Sequence, residues 1–239
     1  AGATLVATLA LAAIGLNNSR WLDIDDIQVV GAQRADTRHI ITASGLALGQ
    51  PLAEIDLAAT ATAVEAVPWV AAAEIDRAWS GEVVIEVTER VEVAVIPTGA
   101  RFALVDTEGR QLEVVPQRPG GFLTIAGVEA SGVPGDLIDP PARHAVSVAE
   151  QLSPALQGRT ERIQVDDGQV FLVLDIGGVA NLGTDRELGP KMVALETVLD
   201  QVDMTCIDTI DVRVPDAPTV RRLAPAVAEE EPLAETGGC

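Results

Sequence analysis

The clearest hydropathy pattern in the chain lies at 82–89, EVVIEVTE, where Val83, Ile85 and Val87 alternate with Glu82, Val84, Glu86 and Thr88. A period of two predicts a strand with one buried and one wet face. Upstream, Ile24–Gly31 (IDDIQVVG) is short, β-branched and closed by glycine, which predicts another strand. Asp36 stands where it can cap a short helix through Ile40 and Ile41, with Gly45 to stop it. Asp56 does the same for a second helix, whose Leu57, Ala61, Val64 and Val67 share a face and which Pro68 ends. A strand over about 70–77 and a Ser80-Gly81 turn lead into the alternating strand. The resulting order, β-α-α-β-β, predicts a three-stranded sheet with two helices on one face.

Beyond Arg90 the texture changes to short apolar runs near 92–96, 101–105, 111–115 and 122–126, with a hairpin-type turn at 105–110 (VDTEGR). Two amphipathic helices interrupt them. One follows Asp139-Pro140-Pro141 and aligns Ala142, Ala145, Val146, Ala149 and Leu152. The other follows Gly189-Pro190 and aligns Met192, Leu195, Leu199 and Val202. Strands near 161–165, 169–175, 179–182 and 208–214 complete an α+β, β-rich domain, and 216–222 (DAPTVRR) is the last strand candidate. Residues 224–239 are rich in Pro and Glu and predict a disordered acidic tail.

The first sixteen residues (AGATLVATLALAAIGL) carry no charge and no amphipathic pattern. As a helix they span about 24 Å, against a hydrocarbon core of about 30 Å. The readings are a truncated transmembrane anchor over 1–19, the end of a signal peptide, or a buried helix. The missing amphipathic stripe counts against the buried helix, and a signal peptide is normally removed from a mature chain, so the anchor is favoured. Trp21 then falls at interfacial depth.

Composition narrows the function. The chain has 239 residues, and its 36 acidic against 16 basic residues give a net charge of −20, which argues against nucleic acid as a partner. Two cysteines, Cys206 and Cys239, make no disulfide framework, and Cys206 reads most simply as a small buried residue. Neither His39 nor His144 has a second ligand at metal spacing. A triad assembled from Ser44, His39 and Asp36 lacks a nucleophile elbow. No phosphate-cradling loop is present, and Asp23, Asp25 and Asp26 lack the glycine and distal glutamate of a calcium loop. Glu82, Glu86 and Glu89 read as sheet surface. The expectation is a protein with no catalytic residues, no metal and no cofactor.

Several motifs carry a resemblance. Val67-Pro68-Trp69-Val70, Ala73, Arg77, Trp79 and the strand ending Thr88-Glu89-Arg90 resemble the close of the POTRA domain in the FtsQ/DivIB family of bitopic bacterial cell-division proteins. The segments at 27–31 (IQVVG) and 45–56 (GLALGQPLAEID) resemble that domain's first strand and inter-helix segment. Leu104-Val105-Asp106 with Gly109, the stretch 181–199 with Lys191, and 210–218 (IDVRVPDAP) resemble the family's β domain. Ser80 departs from the family, which often has proline after the tryptophan.

The resemblance implies an anchor over 1–19, a POTRA domain over 20–90, a β domain over 91–223 and the tail. It implies a single-pass protein of the cell membrane, with a cytoplasmic N-terminus, acting as a non-enzymatic divisome scaffold. Implied partners are FtsB-like and FtsL-like bitopic proteins and, through them, the septal peptidoglycan synthase. The implied docking strand comprises Ala217, Pro218, Thr219, Val220, Arg221 and Arg222. Arg213, Arg221 and Arg222 form a local basic cluster suited to acidic partner residues, or one that merely balances nearby acids. An outer-membrane assembly protein is the alternative. It needs a long barrel after the POTRA unit, for which the remaining residues are too few. A peptidoglycan hydrolase needs a nucleophile or metal constellation that the sequence lacks.

Overall fold

The computed structural model describes residues 22–203 and 205–223. The anchor expected over 1–19 and the tail expected over 224–239 lie outside these residues, and among the described helices none is long and apolar enough to cross a membrane. The chain forms two compact units that divide between Arg90 and Val91.

The first unit contains β1 (Asp26–Val30), α1 (Thr37–Ser44), α2 (Leu57–Glu65), β2 (Val70–Arg77) and β3 (Glu82–Glu89). Its sheet has the order β1-β3-β2, with β1 parallel and β2 antiparallel to the central β3. Both helices begin at the predicted aspartates. Asp36 accepts the N–H groups of Arg38 and His39, and Asp56 accepts that of Ala59. Val83, Ile85 and Val87 are buried and form a core with Ile40, Val64, Val70 and Ile75. Gly31 ends β1 with φ 91, and a Cβ there would lie 2.1 Å from the carbonyl oxygen of Val87, so only glycine fits. The strand starts later than expected, because the N–H of buried Ile24 bonds Gln50 O outside the sheet.

The second unit holds β4 (Glu92–Thr98), β5 (Arg101–Asp106), β6 (Gln111–Val115), β7 (Leu123–Ala126), α3 (Pro140–Gln151), α4 (Pro154–Arg159), β8 (Thr160–Asp166), β9 (Gln169–Leu174), β10 (Val179–Gly183), α5 (Leu188–Gln201), β11 (Ile207–Asp211) and β12 (Thr219–Arg222). The nine strands form one mixed sheet in the order β12-β11-β10-β9-β8-β7-β4-β5-β6. Of its three parallel pairs, β4 with β7 is joined through β5 and β6, whereas β7 with β8 and β10 with β11 are crossed by α3–α4 and α5 respectively. The helices pack Ala145, Val146, Leu156, Leu195 and Leu199 against Ile96, Val105, Ile163, Leu172 and Ile210. Because β12 and β6 end the sheet, it does not close as a barrel among the described residues.

Two expectations change. Among the described residues the second unit has three helices rather than two. Extended Leu152 ends α3, and Ser153, held extended before Pro154, caps α4 by accepting the N–H of Leu156. Cys206 is half-buried, left-handed at φ 58 and not a free thiol.

Candidate functional site

The end of the sheet at β12 is shaped by a short, proline-bearing turn. Arg213 N–H bonds the Asp211 carboxylate, Ala217 N–H bonds Val214 O, and Pro215 and Pro218 fix the backbone between them. The chain reverses and Thr219–Arg222 pairs antiparallel with β11: Asp211 opposite Thr219, Ile210 opposite Val220, Thr209 opposite Arg221. Val220 packs its side chain partly against the core.

Backbone alternation tells which groups face outward. Val212 N–H donates to Asn181 O on β10, so residue 212 faces β10, and residues 211 and 209 face β12. Thr219 and Arg221 therefore turn toward β11. The N–H and C=O of Val220 point to the side on which no described strand pairs.

The three arginines are engaged within the chain. Arg213 grips Asp211 through Nε and Nη2 at 3.0 and 2.6 Å. Arg221 donates to Asp208 at 2.6 Å and to Thr209 at 3.1 Å. Arg222 donates to the carbonyls of Thr205 and Asp203 at 2.8 and 2.9 Å. The hydrogen bond from Arg213 holds Asp211 below the usual carboxylate range, and that from Arg221 does the same for Asp208. The geometry therefore matches the balancing reading of this cluster. All these pairs are solvent-exposed and individually weak.

Two open grooves flank the turn. One, of about 510 Å³, lies between α5 (Pro190, Val193, Ala194, Thr197) and Pro215, Asp216 and Pro218. The other, of about 350 Å³, is lined by Asp211, Arg213, Val214, Ala217 and Thr219. Val193 and Val214 are 63% and 60% exposed, so the surface beside β12 is apolar. All seven residues expected from the sequence thus gather at this edge. The contribution of α5 was missed, although Val193 falls off that helix's buried stripe and could have marked it.

The other candidates are occupied structurally. Asp36 caps α1, and the Ser44 hydroxyl donates to Ile41 O at 2.7 Å and accepts from Leu46 N–H at 3.2 Å, so no triad forms. Among the described residues no group of three or more His, Cys, Asp or Glu side chains is placed to hold a metal ion. Glu89 departs from its expected role on the sheet surface: its carboxylate accepts the N–H groups of Gln33, Arg34 and Ala35 at 2.8, 2.8 and 2.7 Å. Burial alone would raise its pKa, but these three bonds and the Arg34 charge outweigh that and hold it lowered.

A β-α-α-β-β unit with sheet order 1-3-2, followed by a mixed sheet that ends, among the described residues, in the edge strand β12, defines a POTRA-bearing protein with an appended β-rich domain. The family model described as POTRA domain, FtsQ-type, matches residues 22–90, and that for the C-terminal part of cell division protein FtsQ/DivIB matches 94–213. The chain belongs to the FtsQ/DivIB family of cell-division proteins. It is 29% identical to the cell division protein FtsQ of Corynebacterium glutamicum, over 74% of this chain and 79% of that one. With FtsQ of Streptomyces bingchenggensis it shares 27% identity over 90% and 84% of the two chains, and with that of Mycolicibacterium smegmatis 30% over 92% and 63%. The extracytoplasmic domain of DivIB from Geobacillus stearothermophilus aligns with 48% of this chain and 98% of its own, at 18% identity and a TM-score of 0.35.

Proposed function

We propose that this protein is a non-enzymatic scaffold of the bacterial division machinery, held in the cell membrane by residues 1–19 with its N-terminus cytoplasmic and both folded units outside. Its partners are FtsB-like and FtsL-like bitopic proteins, through which it acts on the septal peptidoglycan synthase. One observation carries the docking mode: β12 ends the sheet with the Val220 N–H and C=O facing outward beside an apolar groove. A partner strand adding to this edge gains backbone hydrogen bonds, and an apolar side chain following it can enter the groove. Affinity on this reading comes from backbone pairing and apolar contact, because the arginines already have partners.

Val220→Pro tests it. The substitution removes an outward donor and breaks no bond to β11, so the fold persists while the partner strand loses its ladder and clashes with the ring. Co-purification of an FtsB-like partner is lost, and the thermal transition of the variant stays near wild type. Undiminished co-purification with the folded variant would refute docking at this edge.

A further inference from the structure

We propose that the β2–β3 hairpin tip carrying Trp79 and the loop carrying Leu48 together form a shallow contact surface for the lipid bilayer. The inference rests on residues 1–19 being the membrane anchor.

The chain enters the first unit between these two loops. Ile24 N–H donates to Gln50 O at 2.9 Å and Gly49 N–H returns a bond to Ile24 O at 2.8 Å, while Asp25 N–H donates to Gly81 O at 2.7 Å. The tip is pressed against the entering strand: Gly81 has φ 94, and a Cβ on it would stand 2.5 Å from the Asp25 carboxylate. Beside these bonds, Leu48 is 68% exposed and Trp79 65% exposed, the two most exposed large apolar side chains of the described part of this unit. The tryptophan is held in place. The Arg77 guanidinium lies 5.7 Å from its ring centroid and donates through Nη1 to the Leu52 carbonyl, joining the tip to the loop region that carries Leu48.

What these residues meet is set by the sequence just upstream. Only residues 17–21 separate the uncharged run at 1–16 from Leu22. Five residues span at most about 17 Å, so an embedded run keeps this end of the unit within that reach of the bilayer. A tryptophan with an apolar body and a polar N–H suits the headgroup level, with the leucine beside it. Asp23 and Asp25 at the rim offer anionic lipids no attraction, so contact comes from apolar insertion and not from charge.

The full chain, reconstituted in phosphatidylcholine vesicles containing spin-labelled lipids, tests this. The difference in emission between wild type and Trp79→Ser isolates Trp79 without altering Trp21 or buried Trp69. The expected difference spectrum shifts to the blue on reconstitution. A label near the headgroup quenches it more than one deep in the chains, to the same extent with added phosphatidylglycerol or high salt. A Trp79 open to aqueous acrylamide and untouched by either label overturns the surface while leaving the anchor intact. Quenching that requires anionic lipid and vanishes in salt also overturns it. A chain that fails to float with vesicles overturns the anchor and the surface together.

Discussion

Glu89 carries more of the first unit than its place at the end of a strand suggests. Its carboxylate gathers three consecutive backbone N–H groups from the segment between β1 and α1, a task that a neutral or shorter side chain does not perform. Glu89→Ala therefore destabilises this unit by about 1–2 kcal/mol in urea denaturation, below the full cost of unsatisfied donors because two of the three stay within reach of water. The pH dependence has a definite sign. The folded pKa is depressed, so the stabilisation is complete above the unfolded value and fades as pH falls through the folded one. The gap between wild type and Glu89→Gln narrows in acid. The role was illegible in the sequence because it depends on a contact between residues 33–35 and residue 89, which periodicity within either segment does not report. Asp36 and Asp56, whose partners lie two or three residues away, were legible for the converse reason.

Among the elements, α5 shows how local patterns and buried polar groups divide the information. Of its expected apolar stripe, Met192, Leu195 and Leu199 are buried, whereas Val202 is half-buried and lies past the helix end as its C-cap. Lys191, the chain's single lysine, is 4% exposed, and its Nζ donates to the carbonyls of Leu182 and Thr184 at 2.8 and 3.0 Å, tying the helix to the end of β10. Leu195→Ala costs about 2–5 kcal/mol in denaturant unfolding of the second unit, as expected for a fully buried leucine. Lys191→Met costs about 1–3 kcal/mol by stranding two carbonyls. Burial lowers the Lys191 pKa, so between the folded and unfolded values the unfolded chain binds the extra proton and wild-type stability rises with pH. With no tyrosine and no other lysine in the chain, that alkaline rise is resolvable, and its absence from Lys191→Met is the check. The short α4 escaped notice because six residues give too little periodicity, although the Ser153-Pro154 start signal was present.

For the whole molecule the net charge of −20 sets the terms, and its distribution supplies a test. Alternation correctly assigned Glu82 and Glu86 to the uncovered face of the first sheet, but their neighbours depend on register, which a single strand does not reveal. The register places Asp26 opposite Glu82 and Glu74 opposite Glu86, with Asp76 opposite Val84 on the same face. The strands of that face therefore carry five carboxylates, four of them in two directly opposed pairs, and no lysine or arginine. Like charges directly opposite one another destabilise a sheet, and on a chain of this net charge the rest of the molecule adds to the repulsion. Glu86→Lys converts one repulsive cross-strand pair into an attractive one at an exposed central position. It raises the stability of the first unit by roughly 0.5–1 kcal/mol in low salt. Sodium chloride screens the same repulsion in the wild type, so its stability rises with ionic strength while that of Glu86→Lys rises less, and the two curves converge toward molar salt. Parallel curves offset by a constant would assign the gain to lysine's packing or propensity and leave the carboxylate pairs without energetic weight.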